Sequence, residues 1–548
     1  MNNTNRGEIL LTKRAIYFAN DGHPFNREGV LALTYADLSG KNDSNKAQDM
    51  HADIKDDGEW VNKCNKTRLE GDFKNLLLMA VRQQKKATKS YEGRWLLEIL
   101  QNMDDAIGEA DSKKSIGAKG LGFNAVLEVG HSPAIYSGKF AHEFPEEEET
   151  RKKLHQHELC KADDLEHIPS FTFLFPSTPD KYVNELKKKG FVTVIKVMLH
   201  EGQFESVEEQ LEELDTNFLL LSQNIEQLRI KTPGTEKTVQ RQIKPQRQIK
   251  PTPEGDDTEL SCITISTTNA SAKPVKEKWL RWSRTWDGGE DKMSGCSFCL
   301  PLKGNQCIPA RDDMEVYNFY PTSEPACIKA VLHVTFDLKS NREEMVRGQD
   351  DETIIEKMVS LVIDHVIKDK RVQPAIVLQV FAGLNNNDNP RHRGKSPVPE
   401  LQDKLLEAIC AEPFIPDLGG SLNTLESIHR WDSKFGEFLV FEGDTCTALA
   451  ASEVNDHLAS WTDQKIDLKG ILALPIFRDK DGQPCSLEEG LAFTAPQKLD
   501  IPDILLSKQI AQDDVDRLVS YSESCNKDDE YLKKEIEKHL ISTENKFI

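Results

Sequence analysis

The stretch YEGRWLLEILQNMDDAIGEADSKKSIGAKGLGF, residues 91–123, decides how this chain is read. Its first half has the pattern of a helix buried along one face. Leu96, Leu100, Met103 and Ile107 recur at three- and four-residue spacing, and Ile99 and Ala106 widen the stripe. Glu98, Asn102 and Asp105 follow the same spacing on the neighbouring stripe, so the three side chains project in nearly one direction. A solvated face would mix lysines into such a row; an acid, an amide and an acid leave a line of oxygens. That line suits a magnesium ion and a water, because magnesium takes hard oxygen ligands and needs few protein donors when phosphates supply the rest. A carboxylate beside it can polarise the water. The plain alternative is an ordinary solvated acidic face.

The second half, IGAKGLGF, sets Gly117, Gly120 and Gly122 around Lys119. Glycine lets backbone N–H groups converge on anionic oxygens with no Cβ in the way. The run follows no apolar strand and lacks a Gly-Lys-Ser/Thr ending, so neither the dinucleotide fingerprint nor the P-loop describes it.

At 548 residues the chain exceeds one ordinary core, which predicts about two to four domains. Hydrophobic residues at 38% and charged residues at 29% describe a polar but globular protein. A net charge of −21 repels polyanions and argues against nucleic acid as the main partner. Eleven scattered cysteines suit a reducing compartment better than a disulfide scaffold. With no apolar leader and no long apolar run, the reading is a soluble cytoplasmic chain without a membrane partner.

Along the chain, residues 7–22 read as a hairpin ending in the turn Asn20-Asp21-Gly22, and FVTVIKVML at 191–199 reads as a buried strand. Residues 231–259, which contain the duplication QRQIKPQRQIKP, show no apolar periodicity and read as a disordered or hairpin-like insertion. After residue 350 helical patterns dominate, as in ETIIEKMVSLVIDHVIKD and LQDKLLEAIC, before mixed elements and a charged tail.

The pairing of LLEILQNMDDA with IGAKGLGFNAVLEVGHSPAIYSGKF resembles the GHKL ATPases, the superfamily of gyrase, the ninety-kilodalton heat-shock chaperones, histidine kinases and MutL. It is most similar to the sacsin-like N-terminal ATPase subgroup, as are FYPTSEP at 319–325 and FDLKSNREEM at 336–345. That resemblance implies an α/β fold: a GHKL-type (Bergerat) sandwich over residues 1–140, a transducer-like α/β domain over 141–350 holding the 231–259 insertion, and a mixed α/β region over 351–548.

The superfamily places an Asp-x-Gly turn for adenine between the helix and the glycine loop, where this chain has only residues 106–115. The matching turn stands earlier, in IYFANDGHPF, so the motif order is rearranged, with Asn20 where the family has aspartate and Pro24 in place of a second glycine. Carried over by position, the resemblance implies ATP and Mg2+ as ligands. Glu98 would be the general base, Asn102 the magnesium ligand and Asp105 a pocket wall. Asn20 or Asp21, with Gly22, would meet adenine. Gly117, Lys119, Gly120 and Gly122 would form the phosphate lid, and Arg342 would reach the γ-phosphate; a strand-end ion pair is the other reading of that arginine. The implied activity is slow hydrolysis that switches conformation, chaperone-like or defence-associated, toward an unidentified protein client, with a homodimer left open. The rival reading is a non-catalytic interaction scaffold that has kept the fold.

Three further signals read as structural. CSFC at 296–299, with Cys307 nearby, has half of a zinc knuckle and suits a strand with buried thiols. HQHELC at 155–160 suits a solvated surface. KWLRWSRTW places Trp279, Trp282 and Trp286 at helical spacing around Arg281 and Arg284, a core or interface stripe rather than a base-stacking surface.

Overall fold

The computed structural model describes residues 5–24, 54, 56–68, 93–108, 122–156, 168, 171–249, 256–269, 272–287, 293–339, 342–386 and 395–416, and short segments between 422 and 499. One mixed sheet of fifteen strands organises the described residues. In chain order its opening elements are β1 (Arg6–Leu11), β2 (Ala15–Asn20), helix α1 (Asp57–Arg68), helix α2 (Trp95–Ile107), β3 (Gly130–Ser137) and β4 (Phe140–Glu143). Then come α3 (Glu147–Gln156), β5 (Phe175–Pro176), α4 (Lys181–Lys188), β6 (Thr193–Leu199), α5 (Phe204–Glu212) and β7 (Gln227–Lys231). Four long strands follow: β8 (Glu236–Ile249), β9 (Asp257–Asn269), β10 (Val275–Asp287) and β11 (Met293–Lys303). The short β12 (Gln306–Cys307), β13 (Glu315–Asn318), β14 (Tyr320–Pro325) and β15 (Val331–Val334) complete the sheet. Helices α6 (Asp351–Leu361), α7 (Pro374–Phe381) and α8 (Val398–Ala411) lie beyond it in sequence.

The hairpin read from residues 7–22 is present, and it lies in the sheet interior. β1 pairs antiparallel with β2 and parallel with β7, while β2 pairs with β6. Burial on both faces explains its nearly unbroken apolar text, since strands covered on both sides need not alternate with polar residues. One face carries Ile9, Leu11, Ile16 and Phe18 into a core shared with α2; the other sends Leu10, Tyr17 and Ala19 against Val183 and Leu186 of α4. The expected boundary near residue 140 falls within continuous sheet, because β6 is hydrogen-bonded between β2 and β3.

Of the two readings of residues 231–259, the structure has the hairpin-like one and corrects the disordered one: β8 runs antiparallel to both β7 and β9. Residues 236–249 form β8, paired on both sides with β7 and β9. Val239 and Arg241 are buried while Gln240, Gln242 and Lys244 are exposed, so a period of two runs through text that looks wholly polar. The buried position is filled by arginine, whose Nη1 donates to the carbonyls of Leu219 (3.2 Å) and Ser222. Pro245, which has no N–H to give the ladder, sits at a register shift between Pro245 and Arg247.

The tryptophan stripe is likewise a strand rather than a helix. In β10, Leu280, Trp282, Arg284 and Trp286 share the face that α6 covers, and Arg284 donates to Lys357 O (3.4 Å) and Ser360 Oγ (3.2 Å) of that helix. CSFC lies in β11 with both thiols buried, as expected. Burial pushes Cys296, Cys299 and Cys307 up to about 12, which leaves them protonated and unreactive. Among the described residues no helix is long and apolar enough to cross a membrane.

Candidate functional site

Helix α2 is fixed by its apolar stripe. Trp95, Leu96, Ile99, Leu100, Met103 and Ile107 are buried in the main core, and Trp95 meets Phe18 of β2 edge to face at 6.1 Å. The Trp95 indole N–H donates to Gln210 of α5 at 2.7 Å. This packing buries Glu98, whereas Asn102 and Asp105 on the same stripe are half-buried.

Glu98 is 1% exposed, and Arg342 Nη1 stands 3.0 Å from its Oε2, an ion pair without the alignment of a hydrogen bond. The same guanidinium nitrogen donates to Gln101 Oε1, one turn along. Burial raises the Glu98 carboxyl above its ordinary range, opposed first by Arg342 and then by Arg94. Arg94, just before the helix, is itself buried with an unpartnered Nε, and burial lowers its pKa against the pull of Glu98. Arg342 holds φ of 56°, in the left-handed region that a branched or long side chain rarely adopts, and from that backbone it reaches α2. Arg342 thus makes an ion pair, and its partner is Glu98, the candidate base.

The early turn lies against the far end of the same helix. The His23 N–H donates to Ala106 O at 3.0 Å, and a Cβ on Gly22 would stand 2.1 Å from that oxygen and 2.5 Å from Ile107 Cα. Only glycine fits there, for want of space. Asp21 is engaged by Arg6, accepting its backbone N–H at 2.7 Å and its Nε at 2.8 Å. Asn20, 4% exposed, accepts the Gly22 N–H at 3.3 Å, and its amide nitrogen bonds to nothing among the described residues. Asn20 pairs across the sheet with Thr193, and Thr193 with Ser137, whose hydroxyls are 2.6 Å apart. These three side chains lie on the α2 side of the sheet, a polar row at the end of an apolar face. Thr193 and Ser137 carry no sequence signal, because strand pairing alone aligns them.

Two neighbours on α2 divide their roles unexpectedly. Asp104 is fully buried and accepts from Ser222 Oγ (2.7 Å) and the N–H groups of Gln223 (2.9 Å), Asn224 (2.8 Å) and Ile225 (2.7 Å). Asp105 is half-buried beside it. Tyr320, from the FYPTSEP stretch, stacks on Phe218 at 5.3 Å, and its buried hydroxyl has no hydrogen-bond partner among the described residues. Burial holds that phenol well above its ordinary range; Asp104, Asp105 and Glu98 push it the same way and Arg241 opposes them.

Gly117, Lys119 and Gly120 lie outside the described residues, as do Asp43 and Lys113, which a rearranged motif order would make neighbours, and Asp111, which it would set near the chain start. Gly122 opens a 3-10 turn, Gly122–Glu128, whose Ala125 and Val126 are buried in the core that holds α2. The end of the glycine loop is therefore anchored beside the helix. No group of three or more His, Cys, Asp or Glu among the described residues could hold a metal ion by itself. Asn102, half-buried on α2, is a single oxygen donor, which suits magnesium only where phosphates and water supply the remaining ligands. No known family model matches the chain, and no curated protein matches it.

Proposed function

We propose that the chain binds ATP with magnesium in a GHKL-type site and hydrolyses it slowly as a conformational switch. The observation that carries this reading is the ion pair of Glu98 with Arg342, which joins the candidate base to the strand-rich half of the chain. A desolvated carboxylate with a raised pKa is a stronger base than a surface one, which general-base activation of water requires. The turn Asn20–Gly22, packed on the C-terminal end of α2, supports the rearranged motif order. In this reading Asn102 holds magnesium, which would polarise the phosphate when bound. Arg342 orients toward the γ-phosphate, Asp105 walls the pocket, and Asn20 with Thr193 forms the adenine floor. Residues 117–122 close over the phosphates.

Exchange of Arg342 between Glu98 and a phosphate would give the two states different contacts, which any ligand-driven switch needs. The client would be a protein, chaperone-like or defence-associated, in a soluble compartment.

A second reading is favoured by a specific observation: Asp21 is already held by Arg6, and Glu98 by Arg342. A scaffold that keeps the fold without turnover has this arrangement permanently. Thermal unfolding with and without Mg-ATP separates the two. Ligand at a hundred times its dissociation constant adds about 2.7 kcal/mol of stability. A shift accompanied by phosphate release supports the ATPase, and the absence of any shift supports the scaffold.

A further inference from the structure

The face of the sheet opposite Glu98 carries a half-open cavity of about 630 Å3, lined by the β1–β2 turn, the β7–β8 turn and the C-terminal half of α4. Its size falls within the roughly 300–1,000 Å3 typical of small-ligand sites. Strand register builds it. Lys231, Leu10, Tyr17 and Lys196 pair in one cross-strand row over β7, β1, β2 and β6, which sets the two lysines about 14 Å apart at three strand spacings. Tyr17 between them donates its hydroxyl to Asp180 Oδ2 at 2.8 Å.

The charges are uneven. Five cations and two carboxylates line the cavity, on a chain whose net charge is −21. Asp180 is already used: Oδ1 caps α4 through the N–H groups of Tyr182 and Val183, and Oδ2 pairs with Lys196 at 3.0 Å. Lys189 pairs with the buried Glu8 at 2.7 Å. Lys13, Arg14 and Lys231 are exposed and have no carboxylate partner among the described residues. Like charges gathered around a concavity focus a positive potential into it. Below them the floor is apolar, with Leu10, Ala15 and Leu186 buried and the Tyr17 and Tyr182 rings 5.4 Å apart.

We infer that this cavity binds a small organic phosphate: its dianionic head lies among Lys13, Arg14 and Lys231, and its apolar or aromatic body lies on the floor beside Tyr182. The inference does not depend on the nucleotide reading, since the cavity opens on the other side of the sheet. Free phosphate esters and lipid headgroups share this chemistry, and the aromatic pair of Tyr17 and Tyr182 on the floor suits a small ester with a ring.

The test is calorimetric titration of the full chain with phenyl phosphate, with inorganic phosphate, and with phosphatidylcholine vesicles with and without phosphatidate. Phenyl phosphate should bind saturably and more tightly than inorganic phosphate, and its affinity should fall at least tenfold in Lys13→Glu/Lys231→Glu and weaken as salt rises. Both substituted side chains are exposed, so the variant should fold, and its thermal midpoint checks that. Asn102→Ala should bind phenyl phosphate as the parent does. The inference is overturned by no saturable binding, by affinity that survives the double charge reversal, by loss in Asn102→Ala, which would place the ligand in the nucleotide site, or by binding of phosphatidate vesicles alone.

Discussion

Arg342 and Glu98, brought to 3.0 Å from distant parts of the chain, place a cation against the one buried carboxylate on the oxygen-lined face of α2. Desolvation raises that carboxyl above the ordinary 4.5, and Arg342 is the largest influence pulling it back. Hydrolysis should therefore rise with pH along an acid limb above the ordinary glutamate value, and Arg342→Gln should move the limb to higher pH. A pH–rate profile of both proteins measures this; an unmoved limb refutes the assignment of the base. Glu98→Ala should retain ATP binding and lose about a hundred- to ten-thousandfold in hydrolysis.

The same pKa has a consequence for stability. With its pKa raised in the folded state, Glu98 contributes stability that is complete below the unfolded value and is lost as pH rises through the folded value. Glu98→Gln, which removes that titration, should flatten the pH dependence and stabilise the chain at neutral pH. Urea midpoints across the window between the two values test the sign.

Gly22→Ala should be costly although the substitution is small. The added carbon would lie 2.1 Å from Ala106 O, a backbone atom that cannot move aside, so the turn must lift from the helix. Overpacking of this kind costs about 1–3 kcal/mol. A lowered thermal midpoint is expected, with weakened ATP binding if the turn forms the adenine floor.

Asp104→Ala should destabilise more than any other single change on α2. It takes the acceptor from the buried Ser222 hydroxyl and from the N–H groups of Gln223 and Asn224, and leaves the Ile225 N–H only Ser222 Oγ at 3.2 Å; a buried group left unsatisfied costs about 1–3 kcal/mol. Hydrogen exchange at Gln223, Asn224 and Ile225 should accelerate in the variant. Unchanged protection would mean that the loop holds itself.

The strand that runs into the QRQIKP duplication should resist protease and hydrogen exchange at residues 237–240, which pair with β7 on one side and β9 on the other. Arg241→Ala should lower that protection, because it leaves the Leu219 carbonyl without its buried donor. Rapid exchange in the parent chain would contradict the strand.

Local text determined a good deal of this protein. The stripe of Leu96, Leu100 and Met103 specified α2 and its buried face, two short apolar runs joined by the charged turn Lys13-Arg14 specified the hairpin at residues 7–22, and CSFC was legible as a strand with inert thiols. These depend on periodicities of three to four and of two, which neighbours in sequence carry by themselves. What tertiary structure decided is where buried polar groups find partners. Arg241 could fill a core position of β8 only because the carbonyls of Leu219 and Ser222 receive it, and a polar-looking segment thereby became a central strand. Trp279, Trp282 and Trp286 allow a helix by spacing; two flanking strands that complete the backbone hydrogen bonds of β10 made it a sheet. Asp104 and Asp105 are indistinguishable in the text, yet rotation about one helix buries the first on the loop at 222–225 and leaves the second beside the site. Asn20, Thr193 and Ser137 are joined only by register. Long-range partners cancel the desolvation cost of such groups, and that cancellation is not written in any single segment.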